Sequence, residues 1–310
     1  MVSRSDDLAD KFERAKTLRM MALSMSRRKP KERRELIQDA LTTLDELIHK
    51  DKDRSSRQYK HLQAKCYRDL SFLNRMRFSR PRSQGKQAKA KVSFDAREKA
   101  ITILTQLVAD FPEVPDYQCD LSEVLASLWI GREAMKDPQR RERASKDLLR
   151  SINLADTLVS QFPEITRYAM AKIRGNEQLS RLLQKTDRSS NAIKYQRKAL
   201  NELESRSDKL RGPFHRMRAS FSRLTLGNLV RGDGDLIESE QLLRGALADA
   251  ESAINKMSKG IRDRMQMGAL PRFLDGLATT LEAMEREEEA EELRERSGEL
   301  KRRMQSWLAE

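Results

Sequence analysis

One phrase of this sequence occurs twice, 51 residues apart. Residues 107–117 read LVADFPEVPDY, and residues 158–168 read LVSQFPEITRY. Weaker copies of the apolar pattern occur before them, in ALTTLDELI at 40–48, and after them, in AIKYQRKALNEL at 192–203. A chain that repeats one local pattern at a nearly fixed spacing is expected to stack similar structural units.

The repeated phrase marks the junction between two helices. In the run 96–112, apolar residues recur at intervals of three and four, which places them on one helical face. Pro112 ends this helix because the residue before a proline is pushed out of helical geometry. Pro115 suits the first turn of the next helix. One helical pair leaves its apolar face exposed to water, so we predict that the pairs stack on one another.

The composition favours long amphipathic helices over a mixed α/β fold. Among 310 residues, 35% are charged and 38% hydrophobic, whereas glycine occurs only 12 times and proline 8 times, which leaves few residues for β-turns. We therefore predict an all-α fold. Helices are predicted near 6–26, 31–50, 56–78, 93–111, 115–135, 138–162, 165–186, 189–209, 214–231, 235–258, 262–284 and 286–308.

A second pattern concerns small residues inside the later helices. Leu226-Gly227 and Leu277-Ala278 are each followed by a similar series of residues at the same offsets. The first series is Val230, Ser239, Leu243 and Ala246, and the second is Leu281, Ala290, Arg294 and Ser297.

These residues resemble the tetratricopeptide repeat, in which a small residue after leucine lets two helices approach closely. The spacing of 51 residues is longer than the usual period of that family, about 34. The long-period form looks like repeat regions attached to bacterial serine/threonine kinases, sigma factors and other regulators. The resemblance implies a right-handed superhelix of stacked antiparallel helix pairs, about five of them, plus a C-terminal capping helix. A non-repeating helical bundle is the alternative fold.

The predicted domain organisation is simple. Residues 1–29 form an N-terminal helix or cap, and residues 30–310 form the repeat domain, with a basic loop at 79–92. The two cysteines, Cys66 and Cys119, are too few and too far apart for a disulfide framework and are expected to be buried thiols. No apolar run approaches the roughly 18 residues of a membrane span, and the first residues make a poor secretory signal, so we expect a cytoplasmic protein.

The sequence contains no recognisable catalytic pattern. The three histidines lack metal-ligand spacing, there is no GxSxG nucleophile elbow, and the glycine-containing run 227–234 lacks the lysine of a phosphate-binding loop. We therefore predict no catalytic residue, no metal site and no cofactor.

The first helix of each stacked pair is expected to line a concave groove. Lys172 and Asn176 have the spacing of the carboxylate clamp of the tetratricopeptide family, and residues four apart share one helical face. Asn228 recurs in the next repeat, but Leu224 stands where the clamp has lysine. We predict that the groove includes Lys172, Asn176, Arg216, Arg223, Asn228, Asp120 and Glu123.

The positive charge is concentrated in the first third of the chain. The whole chain has a net charge of +14, and the segment 74–92 has seven cations and no acid. Pro81 and Gly85 should break a helix there, so we predict an exposed basic loop. This loop is either a solvated linker or a contact site for nucleic acid, an acidic protein or anionic lipid, and the second basic cluster at 26–34 could join it. The predicted anion-binding residues are Arg75, Arg77, Arg80, Arg82, Lys86, Lys89 and Lys91.

Two functions fit this sequence. The first is a non-catalytic scaffold that presents a helical groove to a peptide or partner protein, in bacterial signalling or transcription control by resemblance. The alternative is a helical repeat that binds RNA or DNA through residues 74–92, in which case its affinity falls steeply with salt.

Overall fold

The computed structural model describes residues 4–26, 29–51, 56–75, 85–127, 137–186, 189–208 and 212–309. Within these ranges the chain forms thirteen α-helices and no β-strand, which confirms the predicted all-α class. The helices are α1 Arg4–Ser24, α2 Pro30–Lys50, α3 Ser56–Arg75, α4 Gly85–Asp110, α5 Pro115–Leu125, α6 Pro138–Gln161, α7 Thr166–Gln184, α8 Ser189–Glu204, α9 Pro213–Gly232, α10 Leu236–Asn255, α11 Lys259–Gly268, α12 Leu270–Ala283 and α13 Glu287–Ala309.

The chain divides into two compact units, residues 1–127 and 128–310. In the first unit each helix from α1 to α5 packs against the next, and α3 also contacts α1 and α5. In the second unit the same order runs from α6 to α10, and α10, α12 and α13 then pack in turn. Within each unit the helices are stacked in adjacent pairs. The predicted boundary between a cap at 1–29 and a repeat domain at 30–310 stays a prediction.

The two copies of the repeated phrase have the same local structure. Phe111 follows α4 and Phe162 follows α6, and the amide of each donates to the carbonyl oxygen of the leucine four residues earlier, at 2.9 and 2.8 Å. Each phenylalanine ring meets the tyrosine of its own phrase edge to face: Phe111 lies 6.4 Å from Tyr117, and Phe162 lies 5.9 Å from Tyr168. The prediction that both phrases mark the same kind of helix junction is confirmed.

Each unit has its own apolar core, built from the buried stripes of its helices. In the first unit Ile37, Leu44 and Leu47 of α2 are fully buried against α1 and α3. In the second unit Leu243 of α10 and Phe273 of α12 are the fully buried centre of the largest cluster. Burying one such side chain stabilises a fold by about 1.5–3 kcal/mol.

Glycine permits close helix packing at three positions of the second unit. A Cβ atom on Gly276 of α12 would lie 2.9 Å from Cδ1 of Leu224 on α9. A Cβ atom on Gly227 of α9 would lie 2.8 Å from Cγ of Leu243 on α10, so only hydrogen fits there. This confirms the predicted role of the small residue after Leu226. Gly175 of α7 instead faces the preceding helix, since its Cβ would lie 2.9 Å from Cγ1 of Ile152 on α6. Gly175 and Gly227 therefore occupy different positions in their helix pairs.

The C-terminal helix α13 is held by ion pairs as well as by its apolar face. The carboxylate of Glu240 on α10 accepts from Arg244 at 2.9 Å and from Arg286 at 2.7 Å, and Arg244 also reaches Glu289 at 2.9 Å. Burial raises the pKa of Glu240, but the hydrogen bonds from Arg244 and Arg286 outweigh it and hold the pKa below its ordinary value. The first turn of α13 is acidic, with Glu287, Glu288 and Glu289, which suits the positive end of the helix dipole.

Three predicted helix boundaries are wrong. The predicted helix 115–135 ends at Leu125 in the structure, and residues 126–127 form a turn. The helix α4 begins at Gly85, so residues 85–92 are helical and do not belong to a loop. Lysine, glutamine and alanine, which fill this stretch, favour helix, and a glycine in the first position of a helix does not interrupt it. The predicted helix 262–284 is divided at Ala269, because Pro271 has no backbone N–H to donate to a carbonyl oxygen of the preceding turn. Residues 79–84 of the predicted basic loop lie outside the described ranges.

Candidate partner-binding cleft

The second unit carries a cleft of about 400 Å³ between α7, α9 and α12. The helix α9 supplies one wall, because Phe214, Arg218 and Phe221 follow one another at intervals of four and three residues and so share one face. Gln196 of α8 lies beneath them, and its side-chain amide donates to the carbonyl oxygen of Ser222 at 3.0 Å. Neighbouring repeats thus bring residues distant in sequence to one surface.

Aromatic rings give the cleft an apolar floor and an apolar rim. The ring of Phe221 packs against that of Phe273 with the centroids 4.9 Å apart, which fixes its position. The guanidinium of Arg272 also lies against the ring of Phe221, 5.0 Å from its centroid. Phe214 at the start of α9 is 61% exposed, an unusual position for a large ring in a water-facing helix. The described residues therefore leave more than half of this ring at the rim exposed to solvent.

The charges of the cleft do not balance. Its lining contains three arginines, Arg181, Arg218 and Arg272, and one carboxylate, Glu177. Arg218 is neutralised by Glu177 at 3.0 Å. Arg181 and Arg272 are exposed and form no ion pair with any carboxylate in the described part of the chain. Two guanidinium groups are therefore available to an anionic ligand.

The predicted groove residues Lys172 and Asn176 lie near each other but are engaged within the protein. The ammonium of Lys172 contacts Asp156 at 2.9 Å and Glu202 at 3.2 Å. Burial lowers the pKa of Lys172, but the hydrogen bonds to these two carboxylates outweigh it and raise the pKa overall. The side chain of Asn176 is buried and donates to the carbonyl oxygen of Lys172 at 2.9 Å. Lys172 therefore links α7 to α6 and α8, whereas the hydrogen bond of Asn176 stays within α7.

Three further predicted groove residues lie on α9, outside the cleft lining. Arg223 forms ion pairs with Glu204 at 2.7 Å and with Asp249, and so links α9 to α8 and α10. Arg216 is exposed, but it lies two residues from Phe214 and thus points away from the cleft. Asn228 is half-buried.

The remaining two predicted groove residues belong to a buried polar cluster in the first unit. Asp120 of α5 is fully buried and accepts from His61 at 2.6 Å and from Arg68 at 2.8 Å, and Lys65 lies 3.5 Å away. Glu123 accepts from the same Arg68 at 2.8 Å. This cluster joins α3 to α5 and satisfies a carboxylate that would be costly to bury alone.

The predicted anion-binding residues are only partly described. Arg75 is the last residue of α3, and Lys86, Lys89 and Lys91 lie in the first two turns of α4. The side chain of Lys91 is exposed. Arg77, Arg80 and Arg82 lie outside the described residues.

The described residues contain no cluster of three or more side chains suited to a metal ion. None of the described helices is both long enough and apolar enough to cross a membrane. Both cysteines are buried, as predicted, and burial raises the pKa of the Cys66 thiol to about 12.

Solved structures with a similar arrangement of helices identify the fold. BtubC (BKLC) from P. vanneervenii aligns with a TM-score of 0.57 and 14% identity over 89% of this chain and 92% of that chain. The apo form of RapI aligns with a TM-score of 0.51 and 13% identity over 94% and 99%. No family model and no curated protein matches the sequence. The chain has a tetratricopeptide-like helical repeat fold, as the sequence resemblance implied.

The residues of the cleft were not predicted from the sequence. The sequence does place Phe214, Arg218 and Phe221 on one face of α9, and the apolar core covers only part of that face. The partners of α9 in the cleft, Glu177 and Arg272, are 41 and 54 residues from Arg218, and their positions follow from the stacking. Only the stacked arrangement shows that these side chains converge.

Proposed function

We propose that this chain is a non-catalytic scaffold that receives a peptide or a segment of a partner protein in the cleft between α7, α9 and α12. The observation that carries the proposal is the exposed Phe214 beside the unpaired Arg181 and Arg272. Stacked helical pairs generally serve as rigid surfaces for partners. By the sequence resemblance, we place this role in bacterial signalling or transcription control.

The cleft has the chemistry for an acidic ligand with one apolar side chain. Arginine binds carboxylates through paired, charge-assisted hydrogen bonds, so Arg181 and Arg272 are suited to aspartate or glutamate side chains. An apolar side chain of the ligand would pack between Phe214 and Phe221. Covering the exposed part of Phe214, roughly 100 Å², would contribute about 2.5 kcal/mol to binding.

A displayed library of random peptides tests this proposal. We expect the intact protein to select peptides that combine acidic residues with a large apolar residue. Phe214→Ala should weaken binding of a selected peptide by more than tenfold, since about 2.5 kcal/mol exceeds the 1.4 kcal/mol of one decade. Arg272→Ala should weaken binding and reduce its dependence on salt.

Two exposed residues outside the cleft supply matched controls. Ile237→Ala removes an apolar side chain that is 68% exposed on α10, and Arg216→Ala removes an exposed arginine from α9. Both variants should bind the selected peptide like the parent protein. Peptides that bind the Phe214→Ala and Arg272→Ala variants undiminished would place the binding surface elsewhere and refute the proposal.

Nucleic-acid binding through residues 74–92 is not proposed as the function. Of the seven cations in that segment, only Lys91 has a described side chain. The cleft, by contrast, has both its apolar and its charged groups in defined positions.

A further inference from the structure

The first unit exposes its large apolar side chains at one end only. In the described part of residues 4–127, six such side chains are between 38% and 59% exposed. They lie in the last turns of α1 and α3 and in the first turns of α4. They are Met20, Met21, Leu23, Phe72, Val92 and Phe94.

Three contacts show that these helix ends meet. The guanidinium of Arg19 on α1 donates to Asp69 on α3 at 2.7 Å. The hydroxyl of Ser93 on α4 donates to the carbonyl oxygen of Ser71 on α3 at 2.8 Å. Arg33 in the first turn of α2 donates to the carbonyl oxygen of Ala22 at 2.7 Å. The ends of α1 and α3 and the starts of α2 and α4 therefore form one surface, here called the basic–apolar end.

The described residues of the same end include exposed cations, which are Lys29 and Lys31 beside the start of α2 and Lys91 in the second turn of α4. In the sequence these cations belong to the two basic clusters 26–34 and 74–92. Lys29 and Lys31 are exposed and pair with Glu32 at 3.0 Å and Glu35 at 3.7 Å. Such exposed pairs are weak, so both lysines can turn to another anion.

We propose that the basic–apolar end docks this protein on an anionic membrane surface. The exposed methionine, leucine, valine and phenylalanine side chains would enter the boundary between lipid headgroups and acyl chains. Lys29, Lys31 and Lys91 at the same end would contact lipid phosphates. A few inserted side chains and a few charge contacts each bind weakly, so the attachment is peripheral and reversible and requires no membrane-spanning helix. This role is independent of the cleft in the second unit.

The kind of apolar residue favours lipid over the other polyanions. Four of the six exposed side chains, Met20, Met21, Leu23 and Val92, are aliphatic or thioether groups. Single-stranded nucleic acid is bound through aromatic rings that stack on bases, and these four groups cannot stack. An acidic partner helix would need a groove to receive it, whereas these side chains lie at the tips of three helices. A fluid lipid interface adapts to such tips.

Sedimentation with vesicles tests the proposal. We expect the full chain to bind vesicles that contain phosphatidylglycerol, to bind neutral phosphatidylcholine vesicles much more weakly, and to dissociate at high salt. The double substitution Met20→Gln and Met21→Gln keeps the charge and should lower the partition coefficient at least about tenfold, since each buried methylene contributes to insertion. Lys91→Glu, which changes the charge by two, should lower it by more than about fivefold.

A matched control and a competing ligand make the test decisive. Ile237→Gln alters an exposed apolar residue of the second unit and should leave vesicle binding unchanged. Circular dichroism of each variant confirms that the fold is retained. Equal binding to neutral and anionic vesicles, or no binding to either, overturns the proposal. Tight binding of an RNA oligonucleotide that the methionine substitutions leave unchanged assigns this end to nucleic acid and equally overturns it.

Discussion

The substitution Gly227→Ala tests whether close approach of α9 and α10 depends on a missing side chain. The added methyl group would lie 2.8 Å from Cγ and 3.1 Å from Cδ2 of Leu243. Leu243 is fully buried, so its side chain cannot move into solvent, and the helices have to separate or Leu243 has to leave its preferred rotamer. Overpacking of this kind costs about 1–3 kcal/mol.

Gly245 serves as a control that separates the cost of overpacking at Gly227 from the gain in helix propensity. Replacing glycine by alanine inside a helix stabilises it by about 1 kcal/mol wherever the methyl group has room. Gly245 lies in α10 with nothing within 4 Å of its hypothetical Cβ atom. Gly245→Ala should therefore gain about 1 kcal/mol, and Gly227→Ala should be less stable than Gly245→Ala by about 1–3 kcal/mol.

Urea unfolding followed by circular dichroism at the helical minimum measures both variants. The difference corresponds to roughly 2–4 °C in melting temperature for each kcal/mol in a unit of this size. Repeating Gly227→Ala in a Leu243→Ala background completes a double-mutant cycle, because the cavity removes the clash. In that background Gly227→Ala should stabilise the protein. Equal stabilisation by Gly227→Ala and Gly245→Ala in the parent chain would refute the reasoning.

Two further predictions concern buried and bridging carboxylates. Asp120→Ala removes the buried carboxylate that Arg68 and His61 share and should lower the free energy of unfolding by about 3–5 kcal/mol. Glu123→Ala, at a partly exposed position, should lower it by about 1 kcal/mol. Chemical unfolding of the full chain measures both losses, and equal losses for the two variants would contradict this prediction. The pKa of Glu240 is lowered in the folded state, so its contribution to stability is present above the ordinary value of about 4.3 and is lost as the pH falls through the lowered value. The melting temperature of Glu240→Gln should therefore lie below that of the parent at neutral pH and approach it in acid, and a constant difference across pH would contradict this.

The repeat architecture could be predicted from the sequence because the features that define it lie close together along the chain. Phe111-Pro112 and Phe162-Pro163 end helices through backbone geometry, and the spacing of apolar residues defines the buried faces. The close packing at Gly227 was likewise predictable, because only a small residue follows leucine at the point of helix contact.

The functional surfaces were less accessible because they depend on which helices become neighbours. The Lys172–Asn176 pattern suggested a ligand site, but stacking places Asp156 and Glu202 against Lys172 and buries Asn176. The spacing within one helix cannot show which carboxylates the adjacent helices supply. The prediction of a loop at residues 85–92 rests on their charge and on Pro81 and Gly85 as helix breakers, whereas lysine, glutamine and alanine favour helix.

The matching geometry around Phe111 and Phe162 has a consequence for how this chain could change length. In each junction, the hydrogen bond that follows the helix and the phenylalanine–tyrosine ring contact join residues of the same phrase. A gene duplication that copied the 51 residues from one phrase to the next would therefore carry these local contacts into every added block. Descendants of this chain should differ by whole blocks, and partial insertions should be confined to the connecting turns.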